Sequence, residues 1–187
     1  MPVYGPGNFA SFSDDASVGT VPWDSPQSDA QTNNDVDTRA VDTAAGFRYS
    51  HYLKALNANP AIQEGEIPSR LKIRIRRCQG AYGQVWDEVL KPVIGGVVSG
   101  NNKAATAVQY PFTPNYAYAE YDYTFAEWGI SPTVAQLNAA DFGVVLQCES
   151  NTTSPLNTGP LVDHIDWEIT TDPAPAASFI PQVRVNP

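Results

Sequence analysis

A strict alternation of apolar and basic side chains constrains the fold of this chain more than any other sequence feature. Over residues 70–76, three apolar positions alternate with basic ones, in the order Arg70, Leu71, Lys72, Ile73, Arg74, Ile75, Arg76. Successive side chains of a β-strand point to opposite faces. The pattern therefore predicts an antiparallel strand with one face in a core and one basic face toward solvent.

Further strand-like runs follow, separated by Gly and Pro turns. They predict strands over residues 85–93, 104–110, 116–125, 141–149 and 162–171. One short helix is predicted after Pro132, capped by Ser131 or Thr133 and ending near Ala140. Residues 47–57 fit either a short helical face or the start of a strand. We expect an all-β fold, an antiparallel and jelly-roll-like β-sandwich with one short helix.

The first 46 residues lack the apolar side chains of a core. From residue 24 to residue 46, the only aliphatic side chains larger than alanine are Val36 and Val41, whereas ordering a backbone costs about 1–2 kcal/mol per residue. We therefore predict an extended acidic N-terminal arm over residues 1–46, a sandwich over 47–171 and an extended Pro-rich C-terminal arm over 172–187. Neighbouring subunits or the chain's own sandwich would order the first arm. Its expected partner-binding residues are Phe9, Phe12, Trp23, Val36 and Val41.

Charge is concentrated in the same segment. Residues 1–46 carry seven acidic side chains and one basic side chain, a net charge of −6 out of −9 for the whole chain. This balance argues against a nucleic-acid partner, and no apolar run approaches the ~20 residues that cross a bilayer. The basic strand face complements the acidic arm of a neighbouring subunit or another acidic protein, although a solvated face has the same pattern. Its residues are Arg70, Lys72, Arg74 and Arg76.

A tyrosine-rich segment forms a second candidate surface, for glycan binding or for a subunit interface. Aromatic rings stack on the apolar faces of sugars while carboxylates accept hydrogen bonds from hydroxyl groups, but aromatic residues are also enriched in interfaces. Because the segment also contains carboxylates, a glycan-degrading enzyme is a third alternative. The residues concerned are Tyr116, Tyr118, Glu120, Tyr121, Asp122, Tyr123 and Trp128.

Motifs for catalysis are missing from the sequence. It contains no G-x-S-x-G elbow, no phosphate-binding loop and no histidine near either Cys78 or Cys148. His164, Asp166 and Glu168 alternate on one strand face, but a solvent-facing strand shows the same pattern, so no metal site is predicted. We predict a non-enzymatic protein with no catalytic residues, no cofactor and free thiols.

The span from residue 67 to residue 170 resembles the small β-sandwich structural proteins of tailed bacteriophages, which occur as capsid decoration (cement) proteins and as tail or fibre components. Four segments carry the resemblance: IPSRLKIRIRR (67–77), WDEVLKPVIGG (86–96), WGISPTVAQLNAADFGVVLQ (128–147) and VDHIDWEIT (162–170).

The resemblance implies a virion protein that is assembled in the host cytoplasm and binds other virion proteins, either the major capsid protein or tail components. We expect a homo-oligomeric capsid decoration protein that stabilises the shell through its sandwich and N-terminal arm. The alternative is a tail-fibre or receptor-binding module that binds host-surface glycan through the tyrosine-rich segment. Neither nucleic acid nor membrane is an expected partner.

Overall fold

A computed structural model describes residues 1–24, 26–41, 46–80, 83–152 and 159–173. About half of these residues belong to two antiparallel β-sheets, which confirms the predicted β-sandwich. The strands are β1 (Val3–Asn8), β2 (Ser11–Asp15), β3 (Thr38–Arg39), β4 (Gly46–Tyr49), β5 (Tyr52–Leu56), β6 (Ile67–Gln79), β7 (Gln84–Ile94), β8 (Val97–Val98), β9 (Ala117–Thr124), β10 (Gly143–Thr152) and β11 (Pro160–Asp172).

The five-stranded sheet has the order β1-β11-β6-β9, with β3 also pairing with β11. The six-stranded sheet has the order β2-β5-β10-β7-β8, with β4 also pairing with β10. Apolar side chains from the inner faces of both sheets form one core, including Ile73 and Ile75 of β6 and Leu146 of β10, each 0% exposed. The alternation that predicted β6 therefore sets which face of it is buried.

The short helix α1 (Val134–Leu137) begins at Thr133, whose side chain accepts a hydrogen bond from the backbone of Gln136. Leu137 is 0% exposed and belongs to the core. The helix has only four residues. The described residues contain no helix with the length and hydropathy of a membrane span.

The predicted strand over residues 104–110 is wrong. This segment is irregular and includes a turn between Ala105 and Val108. Its backbone contacts β7 at its two ends, where the amide of Lys103 donates to Leu90 and the amide of Tyr110 donates to Val85. Tyr110 is nevertheless buried, so side-chain burial rather than strand pairing explains its apolar character.

The N-terminal segment is part of the sandwich, not an extended arm. Strand β1 pairs with β11, and β2 pairs with β5 in the other sheet. Phe9, between them, is 0% exposed, and Trp23 is 3% exposed and donates its indole N–H to the carbonyl oxygen of His51 at 2.9 Å. The prediction that Phe9 and Trp23 bind a partner is therefore wrong, because both belong to this chain's own core.

A glycine allows this close packing. A Cβ at Gly7 would overlap the Trp167 ring, and the absence of a side chain there lets β1 lie against that ring. The backbone groups of β1 and β2 are hydrogen-bonded in the sheets, so the segment becomes ordered despite its polar composition.

The remaining arm residues have less uniform surroundings. Phe12 is partly buried and packs edge-to-face on Phe9, with ring centroids 6.5 Å apart. Val36 is 48% exposed, and Val41 lines a cavity of about 250 Å³ beside Asp37. The predicted C-terminal arm lies outside the described residues from residue 174 onward.

Candidate functional site

Three adjacent strands of the six-stranded sheet, β4, β10 and β7, carry aromatic and polar side chains on their outer face. In the central row, Tyr49 lies opposite Glu149 and Glu149 lies opposite Trp86. Neighbouring strands are about 4.8 Å apart, so the backbones that carry the two aromatic residues are about 10 Å apart, with the carboxylate between them. We call this surface the aromatic face and define it by Phe47, Tyr49, Gln84, Trp86, Glu149 and Asn151.

The second row repeats the arrangement one step along the strands. Phe47 lies opposite Asn151, and Asn151 lies opposite Gln84. An aromatic ring therefore again stands beside a polar side chain on the central strand. The two rows are two residues apart, which is about 6.8 Å along an antiparallel strand.

Strand alternation explains why these side chains point to solvent. The neighbouring residues of β7 and β10 face the core, and none of them is more than 4% exposed: Val85, Asp87, Cys148 and Ser150. By contrast, Phe47 is 63% exposed and Tyr49 is 41% exposed, while Trp86, Glu149 and Asn151 are partly exposed. Exposed aromatic residues that share one patch are typical of a binding surface.

The central row is linked electrostatically. The Tyr49 hydroxyl donates a hydrogen bond to Oε1 of Glu149 at 3.3 Å. The charge of Glu149 is the largest cause that raises the pKa of Tyr49, and the charge of Glu88 on β7 also contributes. Tyr49 is therefore a neutral phenol at physiological pH, and the carboxylate of Glu149 is oriented on the face.

The tyrosine-rich segment contains both exposed and buried side chains. On β9, Tyr118 is 46% exposed and lies on the outer face of the five-stranded sheet with Glu120 and Asp122. Tyr121 and Trp128 are 3% and 0% exposed, so their predicted role in a glycan or interface surface is wrong.

The other two aromatic residues of that segment contact their own chain. Tyr123 packs edge-to-face on Trp128, with ring centroids 5.6 Å apart. The Tyr116 hydroxyl donates to Asp37. The segment therefore supplies core contacts more than a ligand surface.

The predicted basic strand face is neutralised within the chain. Arg74 makes two hydrogen bonds to Asp166, at 2.7 and 3.0 Å, and Arg70 pairs with Asp122 at 2.7 Å. Lys72 lies within 4.0 Å of carboxylates on both neighbouring strands. These pairs join β6 to β9 and β11, because positions opposite each other on one sheet face carry opposite charges.

Arg76 completes that face and contacts the N-terminal segment of its own chain. It pairs with Asp163 at 2.6 Å and with Asp35 at 2.7 Å. An acidic residue of the N-terminal segment thus does meet the basic face, but within one chain. All four basic residues, Arg70, Lys72, Arg74 and Arg76, have intramolecular carboxylate partners. Binding of a partner by this face stays a prediction.

His164 has partners on both sides. Its ring nitrogens lie 3.1 Å from the Tyr118 hydroxyl and 3.0 Å from Oδ1 of Asn8. Burial is the largest cause that lowers the pKa of His164. The neutral imidazole is thus a structural link from β11 to β9 and β1.

Sequence reasoning missed the aromatic face. Residues 47–57 fit either a short helical face or the start of a strand, and the sequence predicts no role for Trp86 or Glu149. A signal was present, since Phe47 and Tyr49 alternate with Arg48, a pattern that fits a strand with one aromatic face. No pattern in the sequence predicts that β4, β10 and β7 lie next to one another.

Comparisons with known proteins give structural likenesses alone. No protein-family model matches the chain, and no curated protein matches it. Among solved structures, the chain is similar to TmCBM61 in complex with β-1,4-galactotriose, with 12% identity and a TM-score of 0.38 over 89% of this chain and 95% of that one. It is also similar to the CBM22-1 xylan-binding domain of Paenibacillus barcinonensis Xyn10C, with 8% identity and a TM-score of 0.38 over 91% and 94%. At these values neither structure assigns a ligand to this chain.

The prediction of a capsid decoration protein is wrong. It depended on an N-terminal arm that becomes ordered on a partner, whereas β1 and β2 belong to this chain's own sheets.

Proposed function

We propose that this protein binds a glycan on the aromatic face, without catalysing a reaction. The central row carries the proposal, because two aromatic side chains, Tyr49 and Trp86, stand on either side of the carboxylate of Glu149. Aromatic rings offer apolar surfaces for the C–H faces of sugars. A carboxylate accepts hydrogen bonds from sugar hydroxyl groups.

The second row extends the face beyond a single sugar. Phe47 offers another ring, and the side-chain amides of Asn151 and Gln84 both donate and accept hydrogen bonds. Sugar hydroxyl groups also donate and accept, so the amides match them whichever way a hydroxyl points. The expected ligand is therefore an oligosaccharide that lies across the strands.

The outer face of the five-stranded sheet is less suited to a sugar. Tyr118 is exposed there, but Asp122 is paired with Arg70 and Glu120 lies 3.8 Å from Lys72. A sugar hydroxyl would have to compete with these charge-assisted contacts, which are stronger than neutral hydrogen bonds.

A glycan array followed by titration calorimetry on the selected oligosaccharide tests the proposal. Trp86→Ala and Tyr49→Ala should each weaken binding by about tenfold or more, which corresponds to the loss of about 1.4 kcal/mol of ring contact. Tyr118→Ala, which removes an exposed tyrosine from the other sheet, is the matched control and should bind normally. The oligosaccharide should be recovered uncleaved.

Two results would contradict this function. One is the absence of selective binding across the array by a protein with a normal melting temperature. The other is a loss of binding in Tyr118→Ala with none in Trp86→Ala, which would move the site to the five-stranded sheet.

Residence in a bacteriophage tail or fibre is a further proposal and rests on the sequence resemblance. Glycan binding suits that location because attachment to a host requires recognition of its surface. Mass spectrometry of purified particles would test it, with a low copy number expected and absence from the particles contradicting it.

A further inference from the structure

The aromatic face is negatively charged. Its carboxylate is Glu149, and the charge of Glu88 on β7 also acts on the Tyr49 hydroxyl. In the described part of the chain, neither of them forms an ion pair, unlike Glu120, Asp122 and Glu168 on the other sheet. A ligand on this face therefore meets carboxylates that lack a cationic partner among those residues.

The basic residues of the same sheet do not neutralise this charge. Arg48 lies opposite the inward-facing Ser150 and is directed to the other side of the sheet. Lys54 is outward but pairs with Asp15 at 2.9 Å. Lys91 is five residues from Trp86 on β7, about 17 Å along the strand.

We propose that the bound sugar carries a protonated amine, as in a deacetylated hexosamine. This inference rests on the proposed glycan-binding function. An ammonium group donates up to three hydrogen bonds and carries the charge that complements Glu149 and Glu88. The ring faces of Tyr49 and Trp86 also attract a cation.

Neutral and acidic sugars fit this charge less well. A neutral sugar would cover the carboxylates and remove them from water without supplying a counter-charge, which is unfavourable. A uronate or a sulfated sugar would bring a like charge to them. The amine-bearing sugar is the class that both the rings and the carboxylates favour.

Three β-1,4-linked hexasaccharides that differ only at carbon 2 test the inference: the hexamers of glucosamine, of N-acetylglucosamine and of glucose. Calorimetry is done at low salt and below the pKa of the sugar amine. The glucosamine hexamer should bind about tenfold more tightly than the other two, since a charge-assisted hydrogen bond is about twice as strong as a neutral one. Its advantage should shrink at high salt.

Two matched variants separate local recognition from the general attraction of an acidic protein for a cationic chain. Glu149→Gln should abolish the preference for glucosamine. Glu120→Gln removes the same charge from a residue that is 53% exposed on the other sheet, and it should keep the preference. Equal losses in both variants would overturn the inference.

The outcomes also distinguish the two proposals. The hexamer of N-acetylglucosamine or of glucose could bind best, or only some other glycan could bind. If Trp86→Ala abolishes that binding, the inference of an amine-bearing sugar is wrong, and the proposal that the aromatic face binds a glycan is supported. If no glycan binds, both proposals fail.

Discussion

Arg77 of β6 and Asp87 of β7 form an ion pair inside the sandwich, and this pair joins the two sheets. Arg77 is 3% exposed and Asp87 is 0% exposed. The hydroxyl of Tyr110 donates to Oδ1 of Asp87 at 2.6 Å, and Tyr121 donates to the same carboxylate. A buried ion pair is tolerated when further hydrogen bonds satisfy its charges, as they do for Asp87.

Removing one partner of this pair should destabilise the fold strongly. Asp87→Ala leaves the Arg77 charge buried and unpaired, so the free energy of unfolding should fall by about 3–5 kcal/mol. Urea unfolding followed by tryptophan fluorescence measures the change.

The control is Asp122→Ala, which removes a partly exposed partner of Arg70 and should cost about 0–1 kcal/mol. The double variant Arg77→Met/Asp87→Leu should recover much of the loss, because it removes both charges. Equal costs for Asp87→Ala and Asp122→Ala would contradict a buried, coupled pair.

The packed N-terminal segment predicts a second effect on stability. Phe9→Ala should lower the free energy of unfolding by about 3–5 kcal/mol, since it leaves a cavity between the two sheets. Val36→Ala, at a residue that is 48% exposed, should change it by less than about 0.5 kcal/mol. Hydrogen exchange of the isolated protein should show protected amides in β1 and β2. Rapid exchange there would mean that this segment needs a partner after all.

Both cysteines should be unreactive in the folded protein. Burial raises the pKa of Cys78 to about 11, and burial is also the largest cause that raises the pKa of Cys148. Little reactive thiolate is thus present at neutral pH. Ellman's reagent should label neither thiol in the native protein and both in urea. Rapid labelling of one native thiol would show that its strand opens.

The carboxyl group of Asp15 should have a pKa below that of an ordinary aspartate. Its pKa is lowered from 3.8 to about 2, first by the hydrogen bond from Lys54 and then by those from Ser17. Because the pKa is lower in the folded state, the contact stabilises the fold above pH 3.8 and loses that effect as the pH falls toward 2. Since the pair is near the surface, the effect is about 0–1 kcal/mol.

Carbon-detected NMR of the Asp15 carboxyl group tests this directly. Lys54→Met should raise the pKa of Asp15 toward 3.8, whereas Lys103→Met should leave it unchanged. An unchanged pKa in Lys54→Met would exclude the lysine as the main cause.

Local patterns predicted most of the long strands, but they also predicted a strand over residues 104–110 that does not form. The alternation in β6 correctly predicted that Leu71, Ile73 and Ile75 are buried. The same approach failed for residues 1–46, because it judged the segment by its own apolar content. Strand β1 is held by hydrogen bonds to β11, and that partner lies more than 150 residues away in the sequence.

The candidate site shows the same division. Alternation is a local consequence of backbone geometry, so the printed residues are enough to show that Phe47 and Tyr49 share one side of a strand. The strands that lie next to β4 are set by pairing between distant segments, and this pairing cannot be predicted from the sequence of one segment alone. The fold places Glu149 of β10 beside Tyr49 of β4, and Trp86 of β7 beside Glu149. Three segments that are distant in the sequence therefore form one surface.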